Sequence, residues 1–202
     1  MLTASEGEFK LTPAGSHLAI CTGVVDLGTQ KSTYEGKEKH ARKVRLIWEL
    51  CEEKKDDGTP MTTGKSYTLS LADRSTLRAH LQSWRGLAFS PDELKKFDLV
   101  NILGKPCVLT IIHEPKAGGG GMRDSLSTIT GLVKGMPIPK QVTPSMIFDI
   151  DEYSDESFDK LPAFLQKWIL ESPEGALARM KSAKHAPSGT QSDAMGDGGI
   201  PF

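Results

Sequence analysis

Between residues 17 and 133 the apolar runs have the character of β-strands except between residues 73 and 97, and that exception limits the folds open to the chain. HLAICTGVVDLG (His17 to Gly28) is apolar and β-branched, with Gly23 inside it, and reads as a long strand bent or bulged at that glycine. VRLIWELCEE alternates, with Val44, Leu46, Trp48 and Leu50 on one face and Lys43, Arg45, Ile47 and Glu49 on the other. After the DDGTP turn, SYTLSLA repeats the alternation through Tyr67, Leu69 and Leu71. The period then changes. ADRSTLRAHLQSWRG places Leu77, Leu81 and Trp84 at helical spacing, with Asp73 or Ser75 as the cap and Gly86 as the stop. SPDELKKF offers a second short helix with Ser90, Pro91 and Glu93 in capping-box positions. GKPCVLTIIHEP and SLSTITGLV return to strand, paired as a hairpin through Gly118 to Gly121. Three strands, a helix and two strands predict a mainly β chain. The position of the helix, between strands three and four, favours an OB-fold, the five-stranded Greek-key barrel, over a sandwich. An open α+β sheet covered by the helix on one face is the rival.

Past Lys134 the character shifts. GMPIPKQVTP is punctuated by proline and reads as a linker, and DIDEYSDESFDKLPAFLQKWILESPEG turns from acidic to periodic in Leu161, Phe164, Leu165 and Trp168. One amphipathic helix is expected from about Leu161 to Glu171, with Asp159 near its cap and its stripe covered by the barrel or by another subunit. The expected organisation is an OB-fold domain over residues 1–140, a linker and helix over 141–175, and a disordered acidic tail over 176–202.

Charge is informative only once it is divided along the chain. The formal net charge is −1, yet His17 to Lys140 holds 19 Lys and Arg against 14 Asp and Glu, whereas Gln141 to Phe202 holds 5 against 10. A basic body is followed by an acidic tail. No motif of a nucleophilic serine, a zinc protease, a paired-cysteine site or a phosphate loop is present, so an enzyme is not expected, nor a metal or another cofactor. Cys21, Cys51 and Cys107 are odd in number, widely spaced and set in apolar runs, as buried free thiols in a reducing compartment would be. No apolar run reaches membrane-spanning length and the first residues lack the charged-then-apolar pattern of a leader, which leaves a cytoplasmic location as the expectation and no membrane partner.

A polyanion fits this charge pattern. Lys31, Lys37, Lys39, His40, Arg42, Lys43 and Arg45 lie within fifteen positions between and on strands one and two, with Tyr34 among them. In an oligonucleotide-binding barrel that loop and the face of strands two and three form the ligand groove, where cations track phosphates and aromatic rings stack on bases. The candidate nucleic-acid contacts are Lys31, Tyr34, Lys37, Lys39, Arg42, Lys43, Arg45 and Tyr67, together with Lys116 and Arg123, which flank the glycine loop. Trp48 shares the apolar face and reads as core, Tyr67 is ambiguous between core and stacking, and Arg74, Arg78 and Arg85 read as surface charges of the helix.

The tip Asp197-Gly198-Gly199-Ile200-Pro201-Phe202 resembles the C-terminus of bacterial single-stranded-DNA-binding proteins, an acidic stretch ending in Ile-Pro-Phe. The resemblance implies that Ile200, Pro201 and Phe202 anchor in an apolar pocket of replication, recombination and repair proteins, with Asp197 as the flanking charge. Two glycines stand where that family carries aspartates, which implies weaker docking. The body, through GSHLAICTGVVDLGTQ, KVRLIWEL and FDLVNILGKPCVLTIIHE, resembles single-stranded-DNA-binding proteins of phages and mobile elements in a bacterial host cell. The function implied is coating and protecting single-stranded DNA, with recruitment of partners through the tip. An adaptor with only weak DNA binding is the alternative, and a homo-oligomer is allowed by either. The opposite charges of body and tail predict that the tail competes with DNA for the groove. Deleting Gly196 to Phe202 should therefore raise the affinity for oligo-dT at low salt; an unchanged affinity in a filter-binding titration would refute the competition.

Overall fold

The computed structural model describes residues 11–34, 36–116 and 118–185. The protein is mainly β, with five antiparallel strands in the order β3-β2-β1-β4-β5. These are β1 (Gly15–Tyr34), β2 (Lys37–Lys54), β3 (Pro60–Thr68), β4 (Pro106–Pro115) and β5 (Met122–Thr130). A sixth, β6 (Met146–Phe148), runs parallel to the middle of β1 at Gly23 to Val25. The start of β1 is shared: Ala19 pairs with Leu50 of β2 on one side and with Cys107 of β4 on the other. The edge strands β3 and β5 approach each other without a ladder, bridged where Lys65 Nζ donates to the Leu126 carbonyl at 2.6 Å.

Helix α1 (Thr76–Arg85) falls where the period changes. Ser75 accepts from the Arg78 N–H at its start, and Gly86 in the left-handed conformation closes it. Helix α2 (Pro91–Lys96) has a complete Ser90/Glu93 capping box. Leu77, Leu81 and Trp84 of α1 bury against Val44, Leu46, Trp48, Leu109 and Ile129, forming the first core.

A second core lies on the opposite face of the sheet. Val25 and Leu27 of β1 pack under Phe148, Ile150, Phe158, Leu161, Leu165 and Ile169. The change of face is made by a bulge. Between Cys21 and Gly23 the register slips by one residue, so Cys21 and Val24 both face the first core while Val25 and Leu27 face the second. The covering layer consists of β6, α3 (Asp155–Asp159), α4 (Ala163–Glu171) and α5 (Pro173–His185). Its polar ties to β1 run from the Thr29 N–H and hydroxyl to Glu174 (3.0 and 2.5 Å) and from Gln30 Nε2 to the Trp168 carbonyl (2.8 Å). Gly28, at φ 66°, leaves its Cβ position to the Ser172 side chain, so any larger residue would separate the layer from the strand.

Three expectations are corrected. The polar stretch from Thr29 to Arg42 is a two-stranded ribbon paired as far as Tyr34 and Lys37. Its backbone bonds hold it without an apolar face, which is why no alternation marked it. The helix expected from Leu161 to Glu171 is α4, which begins at Ala163 after Pro162, but Asp159, expected near its cap, closes α3 instead, and α3 and α5 flank it as further helices. Residue 176, expected to open the tail, lies inside α5; the tail from residue 186 onwards lies outside the described residues. The layer rests on its own chain's sheet, which is the arrangement in cis.

Phe158 is fully buried at the centre of the second core, and Phe158→Ala should cost about 3–5 kcal/mol. Limited proteolysis should then cut first between residues 131 and 160 while the first core persists; loss of both cores together would show that the layer does not unfold separately.

Candidate nucleic-acid interface

β2, the edge strand β3 and the turn before α1 position the cations. Opposite the first core the pairs are Lys43 with Thr68, Arg45 with Ser66, Ile47 with Gly64 and Glu49 with Thr62. The C-terminal layer covers the Glu49 end of this face. The Glu49 carboxylate, only 1 % exposed, accepts from the Val142 and Thr143 N–H groups at 2.8 and 2.6 Å. The Lys43 end is open. There Lys43, Lys65 and Arg74 line a groove of about 510 Å³ that wraps the edge of β3, Lys65 standing across the ladder from Leu46 on the first-core side; Tyr67 and the serines and threonines Ser66, Thr68, Ser70, Ser75 and Thr76 also line it, and no carboxylate contributes to the lining. Lys43 and Arg74 have no carboxylate partner among the described residues. At Lys65, burial and the neighbouring Arg123 push the ammonium below its ordinary pKa, although Glu114 opposes the shift. Three cations and no carboxylate give the groove a positive lining.

The expected contacts separate into three groups. Lys37, Lys39 and Lys116 are exposed, on the ribbon and beside the glycine loop, and Lys43 enters the groove. Lys31 forms an ion pair with Glu38, and Arg123 with Glu114 at 3.2 Å. Arg42 holds Asp26 through two nitrogens (3.1 and 2.5 Å) and Asp151 at 2.9 Å, which raises its pKa further. It clamps the layer to the sheet. Arg45 is half-buried, with its guanidinium over the rings of Phe164 and Trp168 and Nη1 donating to the Ser66 hydroxyl at 3.3 Å. Its Nε and Nη2 lie 3.0 Å from where a Cβ on Gly64 would stand, so the glycine makes room for it.

Tyr67 is corrected outright. At 3 % exposure, with its hydroxyl 2.8 Å from His80 Nδ1, it packs as a core residue under the groove, to whose lining it contributes, and not as an exposed stacking platform. Trp48 and Phe89 are buried as well. The side chain of Tyr34, and Asp197, Ile200, Pro201 and Phe202 of the tip, lie outside the described residues.

Sequence reasoning missed Arg74, which joins the groove because the turn before α1 folds back beside β3, and it missed Phe164 as a neighbour of Arg45. Between Lys116 and Met122 the β4–β5 hairpin turns through four glycines, all with positive φ, a path closed to other residues. Two thiols are inert: burial pushes Cys21 up to about 12 and Cys107 higher still. Among the described residues no helix is long and apolar enough to cross a membrane. No protein family matches the sequence, and no curated protein is similar to it.

His80, beneath the groove, gives it a pH signature. Burial, and then the Lys65 ammonium, hold the imidazole below its ordinary 6.5, and neutral Nδ1 accepts from Tyr67. The unfolded chain therefore takes up the proton first. The contribution of His80 to stability is complete above about pH 6.5 and is lost as the pH falls through the lower folded-state value. Denaturant midpoints should drop over that range, and His80→Gln should flatten the drop; parallel profiles for the two proteins would contradict this assignment.

Proposed function

We propose that this chain binds single-stranded DNA with little regard to sequence, in a groove that follows the edge of β3 from the outer face of β2 to the turn before α1, and that its first five strands form an OB-fold. The observation that carries the reading is the acid-free groove of Lys43, Lys65 and Arg74, rimmed by five serines and threonines, beside the second and third strands that such barrels use for oligonucleotides. Cations placed singly among hydroxyls suit a backbone of spaced phosphates. The topology supports the fold: β1 is shared between β2 and β4, the helices sit between β3 and β4, and the edge strands meet at Lys65 and Leu126. The ribbon with Lys37 and Lys39 and the hairpin with Lys116 lie at the loops that flank the ligand in these barrels.

Function then follows from binding without chemistry. Lysine and arginine replace the counterions of the phosphates, and the strand is held extended and shielded. The resemblance of the sequence to single-stranded-DNA-binding proteins of phages supports a role in replication and recombination in a bacterial cytoplasm, with partner proteins recruited at Ile200-Pro201-Phe202. A second reading is favoured by one observation: Lys31, Arg42 and Arg123 are already paired with carboxylates, which lowers the charge available to DNA. It makes the chain an adaptor that binds DNA weakly.

Combining Lys43→Glu with Arg74→Glu decides between these readings. The double variant should lower oligo-dT affinity at least tenfold and flatten the salt dependence by about 1.4 in log–log slope, roughly 0.7 for each phosphate no longer neutralised. Wild-type binding that disappears near physiological salt favours the adaptor. A preference for duplex, or indifference to the double reversal, removes the groove from the account.

A further inference from the structure

Helix α4 presents two aromatic residues that the second core does not use. Leu165 and Ile169 point into that core and are fully buried, whereas Phe164, one residue before Leu165, is 47 % exposed. Trp168 stands one turn further along and is partly buried, at the margin of the core. Their rings meet edge to face with centroids 5.4 Å apart, and the Arg45 guanidinium lies 5.7 and 5.5 Å from the two centroids. Arg45 has no carboxylate within ion-pair distance among the described residues, and its one side-chain hydrogen bond goes to Ser66. Ser66 also lines the cationic groove. The aromatic pair therefore adjoins the proposed phosphate track through a single residue.

We propose that Phe164 and Trp168, held around Arg45, form a stacking site for unpaired nucleobases, outside the five-stranded sheet and supplied by the C-terminal layer. The inference rests on the single-stranded DNA reading and adds how bases are held. The chemistry of the occupant follows from three features of the neighbourhood. A flat π surface suits a base, which is exposed on both faces only in a single strand. The guanidinium between ring and groove has spare N–H donors for a base edge or a phosphate oxygen. The adjoining groove is cationic and free of carboxylates, so it accepts the backbone of the same strand and repels a basic peptide. The platform is also rigidly placed, because the Trp168 carbonyl accepts from Gln30 of β1 and Arg45 fits the space left by Gly64. Little ordering is then required when a base arrives.

Tryptophan fluorescence isolates the site, since Trp48 and Trp84 are buried and Trp168 is the third of the three tryptophans. The full-length chain is titrated with oligo-dT and with an abasic deoxyribose-phosphate oligomer of equal length. Oligo-dT should quench the emission and the abasic strand should not. Trp168→Phe should abolish the quench. Phe164→Ala with Trp168→Ala should weaken oligo-dT binding roughly tenfold to a hundredfold and leave abasic binding within about twofold. Quenching that survives in Trp168→Phe, or equal loss for both ligands in the double variant, overturns the stacking site while the groove stands. A shift in oligomeric state with the oligo-dT to abasic ratio unchanged likewise overturns it, assigning the patch to a second copy of the chain. If the wild type binds neither strand, the DNA reading itself fails and the stacking site with it. Should the double variant not fold, Trp168→Phe alone still decides.

Discussion

A single strand that must bury apolar side chains on both of its faces governs this molecule. Val24 of β1 belongs to the core under α1, and its neighbour Val25 belongs to the core under α4. Fully burying a side chain of this size is worth about 1.5–3 kcal/mol, so Val25 and Leu27 together favour a covering layer by several kcal/mol. Residues 146–185 are that layer. Its presence explains why the outer face of β2 is polar at Lys43, amphipathic at Arg45 and Ile47, and closed at Glu49. The gradient along one strand leaves a groove at one end only.

Much of this was legible where local chemistry and packing agree. Ser75 and Gly86 bracket α1, Ser90 and Glu93 form their reciprocal bonds, and the glycines between β4 and β5 make the hairpin. Elements held by backbone pairing alone were not. The ribbon from Thr29 to Arg42 has no buried face to impose a period, and β6 is three residues whose pairing is decided by β1. At the candidate site, Arg45 was correctly placed opposite the apolar row. Ile47 on the same face was the sign that this side would be covered. Tyr67 lines up across the ladder with Val44, which decides its burial, yet that pairing depends on a register that sequence does not display. Arg74 and Phe164 reach the region only through tertiary folding.

The ion pairs that occupy several expected cations differ in consequence. Lys31 and Glu38 are both well exposed, and such a pair is worth about 0–1 kcal/mol, less than a phosphate contact in low salt. Lys31 can therefore exchange its carboxylate for a nucleic acid with little loss. Arg42 differs because Asp26 is buried, and removing its partner would strand a charge away from water. The same residue type thus acts as structural clamp at position 42 and as groove lining at position 74.

The sheet's two free edges meet across a seam with no run of backbone bonds, where one lysine reaches from β3 to a carbonyl of β5 and α1 lies against both. Ladder bonds break cooperatively, but a lone side-chain bridge can release and re-form by rotamer changes. The seam that Lys65 spans is therefore closed by α1 and one side-chain bond where the rest of the sheet has ladders. Width at that crevice becomes a matter of one rotamer, set by whether the ammonium keeps its main-chain acceptor.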